Sequence, residues 1–90
     1  MAYRIEIDPA AERELEKLDK QQARRILTFL VERVGGLDDP RSIGEALNGS
    51  RFGQFWKYRV GDYRIIASIE DDILLILVVR VGHRREVYRR

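Results

Sequence analysis

The uninterrupted apolar run from Ile73 to Val79 constrains this chain more than any other feature. It is far too short to cross a bilayer. It also lacks the polar alternation of a strand wetted on one side. It therefore predicts a strand over Ile73 to Val81 at the centre of a sheet, covered on both faces. Two more strands lead into it. Phe55 to Val60 is aromatic and alternating, and Tyr63 to Ile69 is rich in β-branched residues. Gly61-Asp62 is a two-residue hairpin turn with glycine at the first central position, and Asp71-Asp72 marks a second turn.

The first 36 residues carry a different period. Tyr3, Ile5 and Ile7 alternate with Arg4 and Glu6, which predicts a strand with one buried face. Asp8-Pro9 opens a helix, since Asp8 can cap free amides and Pro9 suits the first helical position. Ala11, Leu15 and Leu18 form its apolar stripe. Asp19 followed by Gln22 opens a second helix, with a stripe of Ala23, Ile26, Leu27, Leu30, Val31 and Val34 that Gly35-Gly36 ends. Residues 37–54, rich in Gly, Asp, Ser and Pro, connect helices to sheet, with a short turn around Ile43 to Leu47. The expectation is one α+β domain over residues 1–90. Its N-terminal strand and helical hairpin pack on one face of a curved antiparallel sheet.

Composition narrows the chemistry. There is no cysteine, which removes disulfides and thiolate chemistry, and a single histidine makes an all-protein zinc site improbable. No cofactor and no metal are expected. The start, MAYRIEIDP, lacks the apolar stretch of a secretory signal, so a cytoplasmic location without membrane association is the expectation. The net charge of +2 is unevenly distributed. Residues 1–40 hold seven Lys/Arg against nine Asp/Glu, whereas residues 41–90 hold ten against six, and nine of those ten are arginine. Arginine suits bidentate phosphate contacts, so the C-terminal half points to a polyanion partner.

The hairpin WKYRVGDYRII sharpens that reading. With Gly61-Asp62 as the turn, Val60 pairs with Tyr63 and Arg59 sits opposite Arg64. Lys57 shares their face, two positions along. Trp56, Tyr58, Val60, Tyr63 and Ile65 occupy the other face, where the helices should pack. Like charges directly opposite on a sheet are destabilising; two unit charges 5 Å apart repel by about 3 kcal/mol at an effective dielectric near 20, and by less in salt. Such an arrangement makes sense if an anion such as a phosphodiester occupies it. The C-terminal stretch VGHRREVYRR adds His83, a side-chain type suited to acid–base work, the cations Arg84 and Arg85, and Tyr88 as a stacking ring.

Four stretches carry a family resemblance across essentially the whole chain: AYRIEIDPAAERELEKL, LNG at Leu47 to Gly49, WKYRVGDYRII and VGHRREVY. The chain resembles the RelE/ParE toxin superfamily, and most closely the RelE-type toxins that cut messenger RNA on the ribosome. The resemblance implies two helices against an antiparallel sheet and a RelB-like antitoxin partner. It further implies metal-independent mRNA cleavage in the ribosomal A site, by attack of a 2′-hydroxyl on the adjacent phosphate. Carried over by motif, Lys57 and Arg59 match the basic pair of the family's strand, Arg64 the arginine after the hairpin tyrosine, and Arg84 that of the C-terminal motif. Tyr88 matches the tyrosine that stacks on the message base, and Arg85 adds charge for substrate binding. The implied roles are charge stabilisation by Arg64 and Arg84, phosphate holding or proton transfer by Lys57 and Arg59, and general acid or base for His83. Two departures bear on proton transfer. Arg59 replaces the lysine of the best-known members, and arginine is too basic to shuttle protons at neutral pH. His83 stands where some members have lysine.

Two other readings share these residues. A ParE-like toxin would have the same fold, inhibit DNA gyrase and lack nuclease activity, leaving the hairpin cations without a reaction to serve. A basic RNA-binding module without catalysis would keep salt-sensitive affinity but cut nothing.

Overall fold

The computed structural model describes residues 3–47 and 55–85. After β1 (Arg4–Ile7), the helices α1 (Pro9–Glu16) and α2 (Lys20–Thr28) form the hairpin, and α2 runs on into a π-helical segment, Phe29–Val34. A 3₁₀ turn at Pro40–Ile43 leads to the short β2 (Glu45–Ala46). β3 (Trp56–Val60), β4 (Tyr63–Glu70), a second 3₁₀ turn (Asp71–Ile73) and β5 (Leu75–His83) follow. The sheet order is β1-β5-β4-β3-β2. β1 runs parallel to β5 and the remaining pairs are antiparallel, so the sheet is mixed rather than purely antiparallel.

Local chemistry explains the helix starts. The Asp8 carboxylate accepts the Ala10 N–H at 3.0 Å, and that of Asp19 accepts the Gln22 N–H at 2.9 Å. Each satisfies one otherwise unpaired amide of a first turn. The apolar stripe of the second helical segment differs from the expected one. Ile26, Leu30 and Val34 are fully buried and Phe29 packs on the core, whereas Leu27 and Val31 are exposed. A π turn explains the continuity. The Gly35 N–H bonds back five residues to the Leu30 carbonyl at 2.8 Å, and the wider turn keeps Val34 under Leu30.

The helices cover one face of the sheet, where Tyr58, Val60, Ile65, Ala67, Ile76, Val78 and Val81 meet Ala11, Leu15, Ile26, Leu30 and Val34. The apolar β5 lies between β1 and β4, as a run of this kind requires, but its two faces are not equally covered. Ile76 and Val78 are fully buried against the helices, while Leu77 and Val79 are half-buried. The strand also begins later than expected. Asp71–Ile73 coil into the 3₁₀ turn and Leu74 adopts a left-handed φ of 51°, which leaves Ile73 exposed. The connection therefore takes more than the two residues Asp71-Asp72.

Two contacts set the ends of this framework. The Gly35 carbonyl accepts the Tyr3 N–H at 2.8 Å, bringing the start of β1 against the end of the helical segment. Asp71 accepts the Tyr3 hydroxyl at 2.8 Å and two Arg41 nitrogens at 3.1 and 2.8 Å. The Arg41 fork, followed by Tyr3, holds the Asp71 carboxyl below its ordinary range.

Two stability effects follow from these contacts. A Cβ at Gly35 would lie 3.0 Å from the Val31 carbonyl oxygen and 3.2 Å from that of Tyr3. Because both are backbone atoms, Gly35→Ala should cost about 1–3 kcal/mol in urea denaturation. A depressed folded-state carboxyl stabilises above the unfolded value of 3.8 and loses that contribution as pH falls through the folded value. The stability difference between the wild type and Asp71→Asn should therefore be largest near neutrality and shrink below pH 3.8.

Candidate functional site

The hairpin forms in the register that the sequence implies. Val60 pairs with Tyr63, Arg59 with Arg64, Tyr58 with Ile65 and Lys57 with Ile66. Gly61 sits at φ +60° and Asp62 has no positive φ, the pattern of a II′ turn. Tyr58, Val60 and Ile65 face the helices, so alternation sends Lys57, Arg59 and Arg64 to the outer face.

The three cations do not share one environment. Lys57 is half-buried and holds an ion pair with Glu45 at 3.0 Å, its partner across the β2–β3 ladder. Arg64 folds back over the turn, its Nη1 donating to the carbonyls of Gly61 at 3.2 Å and Tyr63 at 3.1 Å. Arg59 is exposed. Among the described residues, neither arginine forms an ion pair. Glu45 draws the group together: Lys57 first, then Arg59 and Arg64, hold its carboxyl below the ordinary carboxylate range. One exposed carboxylate thus lies within the field of all three cations. The composition of the hairpin does not reveal Glu45, because it arrives from the Gly-rich connection. Its sequence signal is limited to an acid in the stretch that precedes the strand carrying Lys57.

The C-terminal candidates are distributed differently. His83 pairs with Tyr63, and its ring meets the Tyr63 ring edge-on at 6.0 Å, on the face turned towards the helices. There it lines a cavity of about 300 Å³ with Glu14, Lys17, Tyr63 and Arg80. Its Nδ1 accepts the Arg85 N–H at 3.2 Å. The structure therefore separates His83 from Lys57, Arg59 and Arg64 by the thickness of the sheet. This follows from alternation, which sends a residue paired with Tyr63 to the face opposite Arg64. Arg84 is exposed, and its N–H bonds to the Asp62 carbonyl at 2.8 Å, which ties its backbone to the hairpin turn. Arg85 is exposed beside it. Tyr88 lies outside the described residues.

Chemically, the outer face offers several cations with one carboxylate among them, beside the fully buried Ile66 that pairs with Lys57. The cations can take the oxygens of a phosphodiester, and the carboxylate can accept a proton. No group of three or more His, Cys, Asp and Glu placed to hold a metal ion occurs among the described residues.

Residues 5–88 match the family described as ParE toxin of type II toxin-antitoxin system, parDE. The chain is 35% identical over 92 aligned positions to toxin RelG of Mycobacterium tuberculosis, with all of both chains covered. Its fold is similar to a chain of the toxin-antitoxin complex RelBE2 from Mycobacterium tuberculosis, with a TM-score of 0.85 at 23% identity, covering 96% of this chain and 95% of that one. It is also similar to a chain of the intact E. coli RelBE toxin-antitoxin complex, with a TM-score of 0.72 at 25% identity, covering 91% and 96%.

The directly opposed Arg59 and Arg64 have a measurable signature. Arg59→Ser should raise stability by on the order of 0.5 kcal/mol in low-salt chemical denaturation, with the gain fading at high ionic strength.

Proposed function

The chain belongs to the ParE family of type II toxin-antitoxin toxins, within the RelE/ParE superfamily, and from that premise we propose that it is a RelE-type endoribonuclease that cuts messenger RNA on the ribosome. The observation that carries the reading is the convergence of Lys57, Arg59 and Arg64, with Glu45 among them, on a face the helices leave open. Opposed like charges cost stability in the free protein, and a phosphodiester offsets that cost by occupying the site.

The reaction needs an acceptor for the 2′-hydroxyl proton, fixed positive charge on the phosphoryl oxygens, and a donor for the leaving 5′-oxygen. Glu45 serves as the acceptor. Its depressed proton affinity keeps it ionised at neutral pH, and a bound phosphate shields the cations and raises that affinity when the proton must move. The 2′-oxygen forms its bond to phosphorus while the bond from phosphorus to the 5′-oxygen breaks. Arg59, Arg64 and Arg84 hold the charge that builds on the phosphoryl oxygens. The Lys57 ammonium supplies the proton to the departing 5′-oxygen, leaving a 2′,3′-cyclic phosphate and a 5′-hydroxyl. Arg85 and Tyr88 hold the message, with Tyr88 stacking on a base. His83, on the helix-facing side, is assigned no proton in this scheme. The partner is a RelB-like antitoxin, in keeping with the structural similarity to chains of RelBE complexes. The place of action is the cytoplasm, where ribosomes and message are found.

Single-turnover cleavage on programmed ribosomes tests the assignment. Arg64→Ala and Glu45→Gln should each slow cleavage by about 10²-fold or more, and Glu45→Gln should remove the acid limb of the pH profile. The wild-type ends should carry the cyclic phosphate. Intact message together with blocked gyrase supercoiling would instead establish a gyrase inhibitor of the ParE type.

A further inference from the structure

Glu45 stands on the least supported strand of the sheet. β2 has two residues and one neighbour, β3, and lies at the sheet edge. Two ladder positions cannot by themselves fix an exposed strand. A backbone bond from the Leu47 N–H to the Phe55 carbonyl at 2.9 Å continues the pairing beyond β2, and several independent contacts hold the turn that precedes it.

The Asp39 carboxylate caps the turn by accepting the Arg41 N–H at 3.1 Å. The buried Tyr58 hydroxyl donates to the Pro40 carbonyl. Gly44 lies so close to the Tyr58 ring that an added Cβ would stand 2.9 Å from its Cε1. The strongest tie is Arg41. Its guanidinium grips Asp71 through two nitrogens, at 3.1 and 2.8 Å, and lies 5.8 Å over the Trp56 ring. A planar fork that is both bidentate and stacked fixes direction as well as distance. The backbone of the same Trp56 pairs with Ala46, and the next residue, Lys57, pairs with Glu45.

We propose that the Asp71–Arg41–Trp56 clamp is a positioning device for the reaction site, setting the edge strand so that the Glu45 carboxylate meets Lys57. Arg41 and Asp71 touch no reacting atom and act through Glu45. The inference rests on the reading of Glu45 and Lys57 as members of that site, but its physical content, control of the ion pair by the clamp, can be tested without any activity.

The test uses the full-length chain with Arg41→Lys, which keeps the charge but loses the fork, and Asp71→Asn, which keeps the shape but loses the charge. Amide chemical-shift dispersion identifies variants that retain the fold, and Gly44→Ala, which pushes on the same turn from the Tyr58 side, provides a third. The Glu45 carboxyl is titrated by side-chain carbon NMR. Loss of the clamp should raise its midpoint by roughly half a pH unit or more towards the ordinary glutamate value. The midpoint should move the same way in whichever variants stay folded. An unmoved midpoint in a folded Arg41→Lys or Asp71→Asn chain overturns the inference, whether or not the protein cuts RNA.

A second arm measures ribosome-dependent cleavage in a double-mutant cycle. Arg41→Lys should slow cleavage about tenfold in the wild-type background, mainly through kcat, and have little further effect on Glu45→Gln. Equal slowing in both backgrounds would show that the clamp acts elsewhere. No cleavage by the wild type, with the Glu45 midpoint still governed by Arg41, would remove the nuclease reading and leave the positioning contact standing.

Discussion

The II′ turn at Gly61 and Asp62 holds the register on which the rest of this structure depends. Its positive φ at Gly61 matches the twist of β3 and β4 and places Arg59 opposite Arg64. Because strand side chains alternate, a slip of one residue would send the cations into the core and Tyr58 into water. Burial of Tyr58, Val60 and Ile65 therefore enforces the same register from the other side of the sheet. The cation cluster is thus a by-product of core packing as much as of local turn chemistry. Its repulsion is tolerated because moving the charges apart would require exposing a fully buried tyrosine and isoleucine.

Much of this was legible because the signals are local. Asp8-Pro9, Asp19 to Gln22, Gly35-Gly36 and Gly61-Asp62 each act through atoms a few residues away, and each marks a boundary close to where the structure has one. The buried positions of β3 followed from alternation, whereas β4 buries Ile65, Ile66 and Ala67 in succession, which alternation does not predict. The errors have equally specific causes. The expected stripe of the second helix included Leu27 and Val31 because an ideal helical wheel sweeps too wide an arc. The π turn confines burial to Ile26, Leu30 and Val34, with Phe29 beside them. The parallel pairing of β1 with β5 joins the two ends of the chain, and no local pattern encodes it.

The candidate site was legible to a similar degree, and for the same reason. Lys57, Arg59 and Arg64 share a face because they belong to one hairpin. Glu45 went unnoticed because its contact with Lys57 depends on the route of the connecting segment. His83 stands with the cations in the sequence because Arg84 and Tyr88 follow it in the C-terminal stretch. Its side of the sheet is set by pairing with Tyr63, which adjacency in the sequence does not specify. Both faces of this hairpin end carry ionisable groups. The outer face gathers Lys57, Arg59, Arg64 and Glu45, and the inner one Glu14, Lys17, Arg80 and His83 around a cavity. The Glu14 carboxylate there accepts the Val81 N–H at 2.7 Å and pairs with Arg80 at 3.1 Å, so it satisfies β5 beyond the point where β1 ends.

Pairing Arg4 with Leu75 and Ile7 with Val78 also governs when the molecule can come into being. During synthesis β1 emerges first and has no strand beside it until β5 arrives, so the helical hairpin forms early and the sheet closes last. A partly made chain has neither its complete core nor the pairing that aligns Arg64 with Gly82. The full basic surface, Arg84 included, is therefore assembled only after β5 has left the translating particle.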